Sequence, residues 1–140
     1  MILDANIIIK LVLNEQNSKE TRATIEGFLE KSYLLYTVDH ALAECLNVIW
    51  KHATLLADLN AEDTKSSTEY LLKIFNRLTI EKTAALAERT MALAQTLKVP
   101  VYDALYIALA EKEEGIIYTA DKKLATAAKT ITKTKLLKTT

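Results

Sequence analysis

Hydrophobic and polar positions along this chain follow two patterns, short apolar runs of strand length and longer stretches with apolar residues three and four apart. The short runs predict strands at 1–4, 33–38 and 78–80, at 116–119, and at a sheet edge beginning with Ile131. The longer stretches predict helices over 18–30, 39–56, 61–76, 82–97, 103–114 and 121–128. An apolar segment without an assigned element continues from the first strand to Leu13. Strands that alternate with helices imply a mostly parallel sheet covered by helices on both faces, an α/β fold.

The residues that end or begin helices sharpen these boundaries. Pro100 stops the helix before it, because the residue preceding a proline is pushed out of helical geometry. Asp39 and Asp121 are typical helix N-caps, and Gly115 is expected at the C-terminal cap of the helix 103–114. No repeat or flexible linker interrupts the pattern, so we expect one domain over residues 1–140.

Composition excludes several classes of protein. A chain of 140 residues can bury about two thirds of its unfolded surface in one core. One cysteine excludes a secreted disulfide scaffold, and no apolar run approaches the roughly 18 to 20 residues of a membrane span. No signal-peptide pattern is visible, and we therefore expect a cytoplasmic protein that does not contact a membrane.

The net charge of zero hides an uneven distribution. Residues 1–70 carry 6 basic and 11 acidic side chains, whereas residues 71–140 carry 12 basic and 7 acidic ones. Six lysines and no acid follow from Lys122 to the end of the chain. This asymmetry indicates either contact with nucleic acid or a solvated lysine face, and charge alone leaves both open.

Four acids stand in apolar or strand-end positions, Asp4, Glu44, Asp103 and Asp121. Ligands of open parallel sheets bind beyond the carboxyl ends of the strands, where the first and last of these acids are predicted to lie. The other two fall near the start of helices that face the same edge. Oxygen ligands without cysteine or histidine are the set expected for Mg²⁺ or Mn²⁺.

Each acid also has an ordinary structural alternative. Asp4, Asp103 and Asp121 are suited to cap helices, and Glu44 could pair with Lys51. Two polar residues, Asn6 and Thr119, lie two positions from an acid and could add an amide and a hydroxyl to the same site.

Four sequence blocks together resemble the PIN domain of VapC-type toxins. The blocks are Ile-Leu-Asp-Ala-Asn-Ile at 2–7, Ala-Glu-Cys-Leu-Asn at 43–47, Val-Tyr-Asp-Ala-Leu-Tyr-Ile-Ala-Leu-Ala at 101–110 and Tyr-Thr-Ala-Asp-Lys-Lys-Leu at 118–124. Their order and spacing match over essentially the whole chain. The resemblance implies a three-layer α/β/α PIN-like fold and an endoribonuclease, dependent on Mg²⁺ or Mn²⁺, that acts on single-stranded RNA.

The resemblance also carries residue roles and partners. It implies a catalytic and metal-binding set of Asp4, Glu44, Asp103 and Asp121, with Asn6 and Thr119 as supporting polar groups. Asn6 departs from the family, since many relatives have Ser or Thr there. The implied partners are single-stranded or structured RNA, a second copy of the chain in a homodimer, and an antitoxin protein. The alternative is a non-catalytic PIN-fold module that binds RNA or a protein.

Basic and aromatic neighbours of the motifs are candidates for contact with RNA. Nearness in sequence to the acids selects the following lysines as RNA-binding residues: Lys10, Lys51, Lys122 and Lys123. A solvated surface is the equal alternative for each lysine. Tyr102, Tyr106 and Tyr118 could stack on unpaired bases, although packing in the core is the more common fate of a tyrosine at such spacing.

Overall fold

The computed structural model describes residues 1–138 and consists of five short strands and seven α-helices, with two α-helices between each consecutive pair of the first four strands and one between the last two. The strands are β1 (Ile2–Leu3), β2 (Tyr36–Val38), β3 (Thr79–Glu81), β4 (Ile116–Thr119) and β5 (Lys133–Leu136). The helices are α1 (Ala5–Val12), α2 (Ser18–Glu30), α3 (His40–Trp50), α4 (Ala61–Phe75), α5 (Thr83–Leu97), α6 (Val101–Glu113) and α7 (Lys122–Ala128). A π-helical turn, Lys51–Leu55, follows α3 directly.

The strands form one sheet in the order β3-β2-β1-β4-β5, and every pair is parallel. Helices cover both faces, so the fold is the predicted three-layer α/β/α arrangement. The first strand is central, and its register places Ile2 beside Tyr36 on one side and Ile117 on the other. All five carboxyl ends therefore meet at one edge of the sheet, which we call the carboxyl rim. None of the helices in residues 1–138 is long and apolar enough to cross a membrane.

The unassigned apolar segment after β1 is the helix α1. The Asp4 carboxylate accepts a hydrogen bond from the backbone N–H of Ile7 at 2.9 Å and so caps the first turn. Three consecutive isoleucines, Ile7 to Ile9, are buried, because helices α2, α3 and α4 all contact α1. The helix has only eight residues, and its polar positions are limited to Asn6 and Lys10, one turn apart, so the sequence contains too few turns to distinguish it from a buried apolar strand.

Several predicted boundaries are wrong. The second strand begins at Tyr36 instead of Tyr33, and the edge strand begins at Lys133 instead of Ile131, because pairing with the neighbouring strand starts there. The predicted helix 39–56 is α3 and the π-helical turn. The sixth helix starts at Val101, immediately after Pro100, because a proline suits the residue before the first helical turn.

Two capping predictions also fail. Glu114, not Gly115, adopts the left-handed conformation that ends α6, with φ of 50°. Gly115 is closely packed instead, since a Cβ atom there would overlap the end of the buried Ile2 side chain, which would have to shift. Asp39 does not cap α3. Its Oδ1 atom accepts from the backbone N–H of Thr83 at 3.1 Å and from the Thr83 hydroxyl, so it serves the start of α5 across the sheet.

Candidate active site

The carboxyl rim brings together residues that are far apart in sequence. Asp4 follows β1, and Asp121 lies two residues after β4, the neighbouring strand. Glu44 lies in the second turn of α3 and Asp103 in the first turn of α6, two helices that begin near this edge. We call these four side chains the acidic cluster.

Asp4 is the buried member of the acidic cluster, with 3% of its surface exposed. Its two carboxylate oxygens accept hydrogen bonds from the Ile7 backbone and from the Thr119 hydroxyl. Burial raises the pKa of Asp4 to about 7, the two hydrogen bonds oppose that rise, and the charges of Asp121 and Glu44 add to it. The surroundings of Asp4 therefore favour the protonated, neutral form of its carboxyl group.

Thr119 links Asp4 to the second strand-end acid. Its Oγ1 atom donates to Asp4 and accepts from the backbone N–H of Asp121 at 3.0 Å. Oδ1 of Asp121 in turn accepts from the N–H groups of Lys123 at 2.8 Å and Leu124 at 3.3 Å, so the predicted cap of α7 is present. One hydroxyl therefore fixes the relative positions of two carboxylates.

Glu44 and Asp103 complete the acidic cluster from the two helices. Burial raises the pKa of Glu44, and the charge of Asp103 raises it further. Burial also raises the pKa of Asp103, with the charge of Asp121 adding to the rise and that of Lys123 opposing it. Each acid is therefore close enough to two others for their charges to interact, in the pairs Asp4–Glu44, Glu44–Asp103, Asp103–Asp121 and Asp121–Asp4. Asp103 makes no cap bond to α6, so it does not serve as the helix cap that was its structural alternative. Glu44 contacts His40 and Tyr106 instead of pairing with Lys51.

Sequence reasoning missed two side chains that hold Glu44. The Tyr106 hydroxyl donates to Oε1 of Glu44 at 3.4 Å and accepts from the Ala5 backbone N–H at 3.2 Å, which ties three helices together. Nε2 of His40 lies 3.6 Å from the same Oε1 atom. The spacing was the available signal, since His40 precedes Glu44 by four residues and Tyr106 follows Asp103 by three, so each pair shares a helix face.

The acidic cluster is not a closed metal site. Among residues 1–138, no three Asp, Glu, His or Cys side chains form a ready-made metal-binding group. The donor chemistry nevertheless suits a hard cation, because every candidate ligand offers oxygen. Cys45, next to Glu44, is excluded as a thiolate ligand, since burial raises the pKa of its thiol to about 12 and its sulfur donates to the Ala5 carbonyl at 3.6 Å.

The predicted supporting residues lie at the rim with different exposure. Thr119 is buried and bonded to Asp4, whereas Asn6 is exposed in the first turn of α1. The hydroxyl therefore acts inside the cluster, and the Asn6 amide faces solvent beside it.

The four predicted RNA-binding lysines do not gather in one place. Lys122 and Lys123 are exposed at the start of α7, and Lys123 is near enough to lower the pKa of Asp103. Lys51 is exposed at the far end of α3. Lys10 lies in the last turn of α1, where its Nζ atom is 3.4 Å from a Glu15 carboxylate oxygen and 3.1 Å from the Gln16 carbonyl. Only the first pair stands next to the acidic cluster.

Comparison with known proteins places this geometry in a family. A family model described as PIN domain matches residues 1–130. The chain is 34% identical over 125 residues to Ribonuclease VapC3 of Pyrobaculum aerophilum, covering 89% of this chain and 92% of that protein.

Solved structures share the fold. The crystal structure of PAE2754 from Pyrobaculum aerophilum superposes with a TM-score of 0.69 at 21% identity, over 95% of this chain and 87% of that one. The crystal structure of FitAcB from Neisseria gonorrhoeae superposes with a TM-score of 0.63 at 20% identity, over 95% and 94% of the two chains. The family model and the VapC3 relationship cover nearly the whole chain, and the protein therefore belongs to the PIN domain family and, within it, to the VapC type.

Proposed function

We propose that this chain is a divalent-metal-dependent endoribonuclease that cleaves single-stranded RNA and forms the toxin component of a toxin–antitoxin pair. Its relationship to Ribonuclease VapC3 supports the reaction class, and its fold likeness to FitAcB is in keeping with it. The observation that carries the proposal on this chain is the acidic cluster, in which a buried carboxylate, Asp4, is close enough to Asp121 and Glu44 to feel their charges, and both of these acids are in turn coupled to Asp103.

Four clustered carboxylates repel one another, and burying one of them is costly unless a cation offsets its charge. Mg²⁺ or Mn²⁺ would be held by Asp4, Asp103 and Asp121, with Glu44 directly or through water. When bound, such an ion makes a coordinated water more acidic and neutralises charge on a phosphate. The exclusively oxygen donor set and the raised pKa values of three of the acids support this assignment.

The remaining polar groups of the site position the carboxylates. Thr119 holds Asp4 in one rotamer and presents the Asp121 backbone, while Tyr106 orients Glu44. Preorganised ligands of this kind lose little entropy when charge develops on the phosphate. Asn6, exposed beside Asp4, is proposed as a hydrogen-bond donor to the substrate or its water.

RNA must bring negative phosphates to an acidic surface, so cations at the rim are needed. Lys122 and Lys123 are proposed to hold the flanking phosphates, because both are exposed beside Asp121 and Lys123 is electrostatically coupled to Asp103. Lys51 is the weaker proposal at the far end of α3. Lys10 would have to leave Glu15 before it could bind a phosphate.

The deciding experiment measures cleavage of a mixed-sequence single-stranded RNA after removal of any co-purifying partner. We expect cleavage with Mg²⁺ or Mn²⁺, none with EDTA, and a loss of at least about a hundredfold in Asp103→Asn, since a charged ligand is replaced by a neutral amide. The matched control is Asp63→Asn, which changes an exposed aspartate on α4. Absence of cleavage together with absence of Mn²⁺ binding by calorimetry would favour the non-catalytic binding module.

A second copy of this chain and an antitoxin protein are the two protein partners that the proposal adds. Membership of the VapC type supports both. Light scattering of the purified chain tests the homodimer, and inhibition of cleavage by the product of a neighbouring short reading frame tests the antitoxin.

A further inference from the structure

The three tyrosines beside the acidic motifs have very different environments. Tyr106 and Tyr118 are buried, with 3% and 0% of their surface exposed, and belong to the core. Tyr102, the residue before Asp103, is 58% exposed although it is a large aromatic side chain. The Tyr102 ring is therefore available for contact with another molecule, and its place directly before Asp103 puts that surface next to the candidate active site.

Tyr102 is ordered by a second ring from another helix. The His40 imidazole, at the start of α3, stacks on it with 5.0 Å between ring centroids and 23° between ring planes. The same imidazole lies 3.6 Å from Glu44. A near-parallel aromatic pair therefore stands directly against the acidic cluster, and we call this pair the aromatic platform.

We propose that the aromatic platform binds an unpaired nucleobase of the RNA next to the phosphate that is cleaved. This inference rests on the proposed nuclease function and assigns a base-binding surface to it, which gives a structural reason for the preference for single-stranded RNA. A base inside a duplex has both faces covered by its neighbours, so only an unstacked base can lie on a protein ring. Every base has a π face, and the platform is therefore expected to tolerate many sequences.

The position of the platform supports this role. Both rings come from the first turns of helices that begin near the carboxyl rim, and their immediate neighbours in sequence or space are Asp103 and Glu44. A base held on Tyr102 would place its own phosphate beside the acids, where Lys123, exposed on α7, is near enough to lower the pKa of Asp103. Stacking also supplies affinity without positive charge, which suits a surface with four carboxylates.

The test uses the full-length protein and a short single-stranded RNA that contains 2-aminopurine, whose fluorescence falls when it stacks. The variants are Tyr102→Ala, Tyr102→Phe, which keeps the ring, and Tyr102→Leu, which keeps apolar bulk without a π face. The control is Tyr70→Ala, because Tyr70 is 49% exposed on α4, away from the acidic cluster. Thermal melting checks that each variant is folded.

We expect Tyr102→Ala and Tyr102→Leu to raise KM about tenfold and to lose 2-aminopurine quenching, with kcat changed by no more than about twofold. Tyr102→Phe and Tyr70→Ala should behave like the wild type. An abasic nucleotide at the junction should weaken binding to the wild type about tenfold and leave the Tyr102→Ala protein almost unaffected. A structural role for Tyr102 would not produce that dependence on the presence of a base.

The outcomes separate this inference from the proposed function. An active enzyme whose KM is unchanged in Tyr102→Ala overturns the aromatic platform and leaves the nuclease intact. A wild type that does not cleave, but quenches 2-aminopurine through Tyr102 when Ca²⁺ replaces Mn²⁺, refutes the nuclease and retains base binding. Absence of both cleavage and quenching refutes both.

Discussion

Replacing Asp4 by asparagine should make the metal-free protein more stable at neutral and alkaline pH. The side chain is almost completely buried, and its pKa rises from 3.8 to about 7 on folding. Asparagine has the same shape and can still accept the Ile7 N–H bond that caps α1, but it never carries a charge. The substitution thus removes the cost of burying a carboxylate. At the position of the second oxygen, the amide NH2 group would donate to Oγ1 of Thr119, which reverses that hydrogen bond and keeps the two side chains in contact.

The direction of the pH dependence follows from proton binding. Between about pH 4 and pH 7 the folded wild type holds a proton on Asp4 that the unfolded chain has released, so its stability falls as pH rises through this window. The two pKa values differ by about three pH units, which corresponds to about 4 kcal/mol at about 1.4 kcal/mol per unit. Above pH 7 the loss is complete, and below pH 4 there is none.

The assay is thermal unfolding in EDTA at several values between pH 4 and pH 8. We expect Asp4→Asn to match the wild type near pH 4 and to exceed its Tm by about 12 °C at pH 8, from about 3 °C per kcal/mol for a domain of this size. Asp63→Asn, the exposed control, should not show this gain. Mn²⁺ should raise the Tm of the wild type at pH 8 and have little effect on Asp4→Asn, because the cation offsets the charge of a carboxylate that the variant lacks.

One result would refute this reasoning. If Asp4→Asn were no more stable than the wild type at pH 8 in EDTA, the buried carboxylate would not be a source of instability. The acidic cluster would then have to be neutralised by the protein itself.

Five further substitutions, at four positions, test the packing of the fold and the hydrogen bonds of the site. Gly115→Ala should destabilise the protein by about 1–3 kcal/mol in urea unfolding, because its Cβ atom would displace the buried Ile2 side chain. Gly27→Ala should stabilise the protein by about 0.5–1 kcal/mol, because the added methyl group points into open space and alanine favours the helix α2. Thr90→Val should stabilise the protein by about 1 kcal/mol in the same assay, because the buried Thr90 hydroxyl has no hydrogen-bond partner within residues 1–138. An unchanged or lower stability would mean that a buried water molecule forms a hydrogen bond with this hydroxyl. Thr119→Val removes the hydroxyl that donates to Asp4, so it should raise the pKa of Asp4 further and shift the pH–rate profile for RNA cleavage to higher pH. Thr119→Ser keeps the hydroxyl and should leave the profile unchanged.

Much of the architecture was predictable because the signals were local. Helix periods in α2, α4, α5 and α7 and the short apolar run of β4 were readable within a few residues of sequence. The alternation of strands and helices then implied a parallel sheet, whose carboxyl edge collects strand-end acids. The sequence blocks led to the PIN family on their own, which the family comparison confirms.

The details that depend on distant parts of the chain were not predictable in this way. Asp39 is a good local cap for α3, yet it bonds to Thr83, 44 residues away, because β2 and β3 are neighbours. Lys10 is close in sequence to Asp4 but is directed by its helix to Glu15. Cap and charge patterns describe which bonds a residue can make, and the tertiary neighbours decide which of them it makes.

Residue type and short-range spacing were enough to predict the fold class, the family and the four acids that the fold brings together. Long-range packing was needed to show that Asp4 is buried beside Thr119 and that Tyr102 remains in solvent against His40. Burial and stacking arise from contacts among residues far apart in the chain. Tyr102, Tyr106 and Tyr118 have similar neighbours in sequence, so their sequence positions did not show which of them is exposed. The contact between His40 on α3 and Tyr102 at the start of α6 distinguishes the exposed tyrosine from the two buried ones.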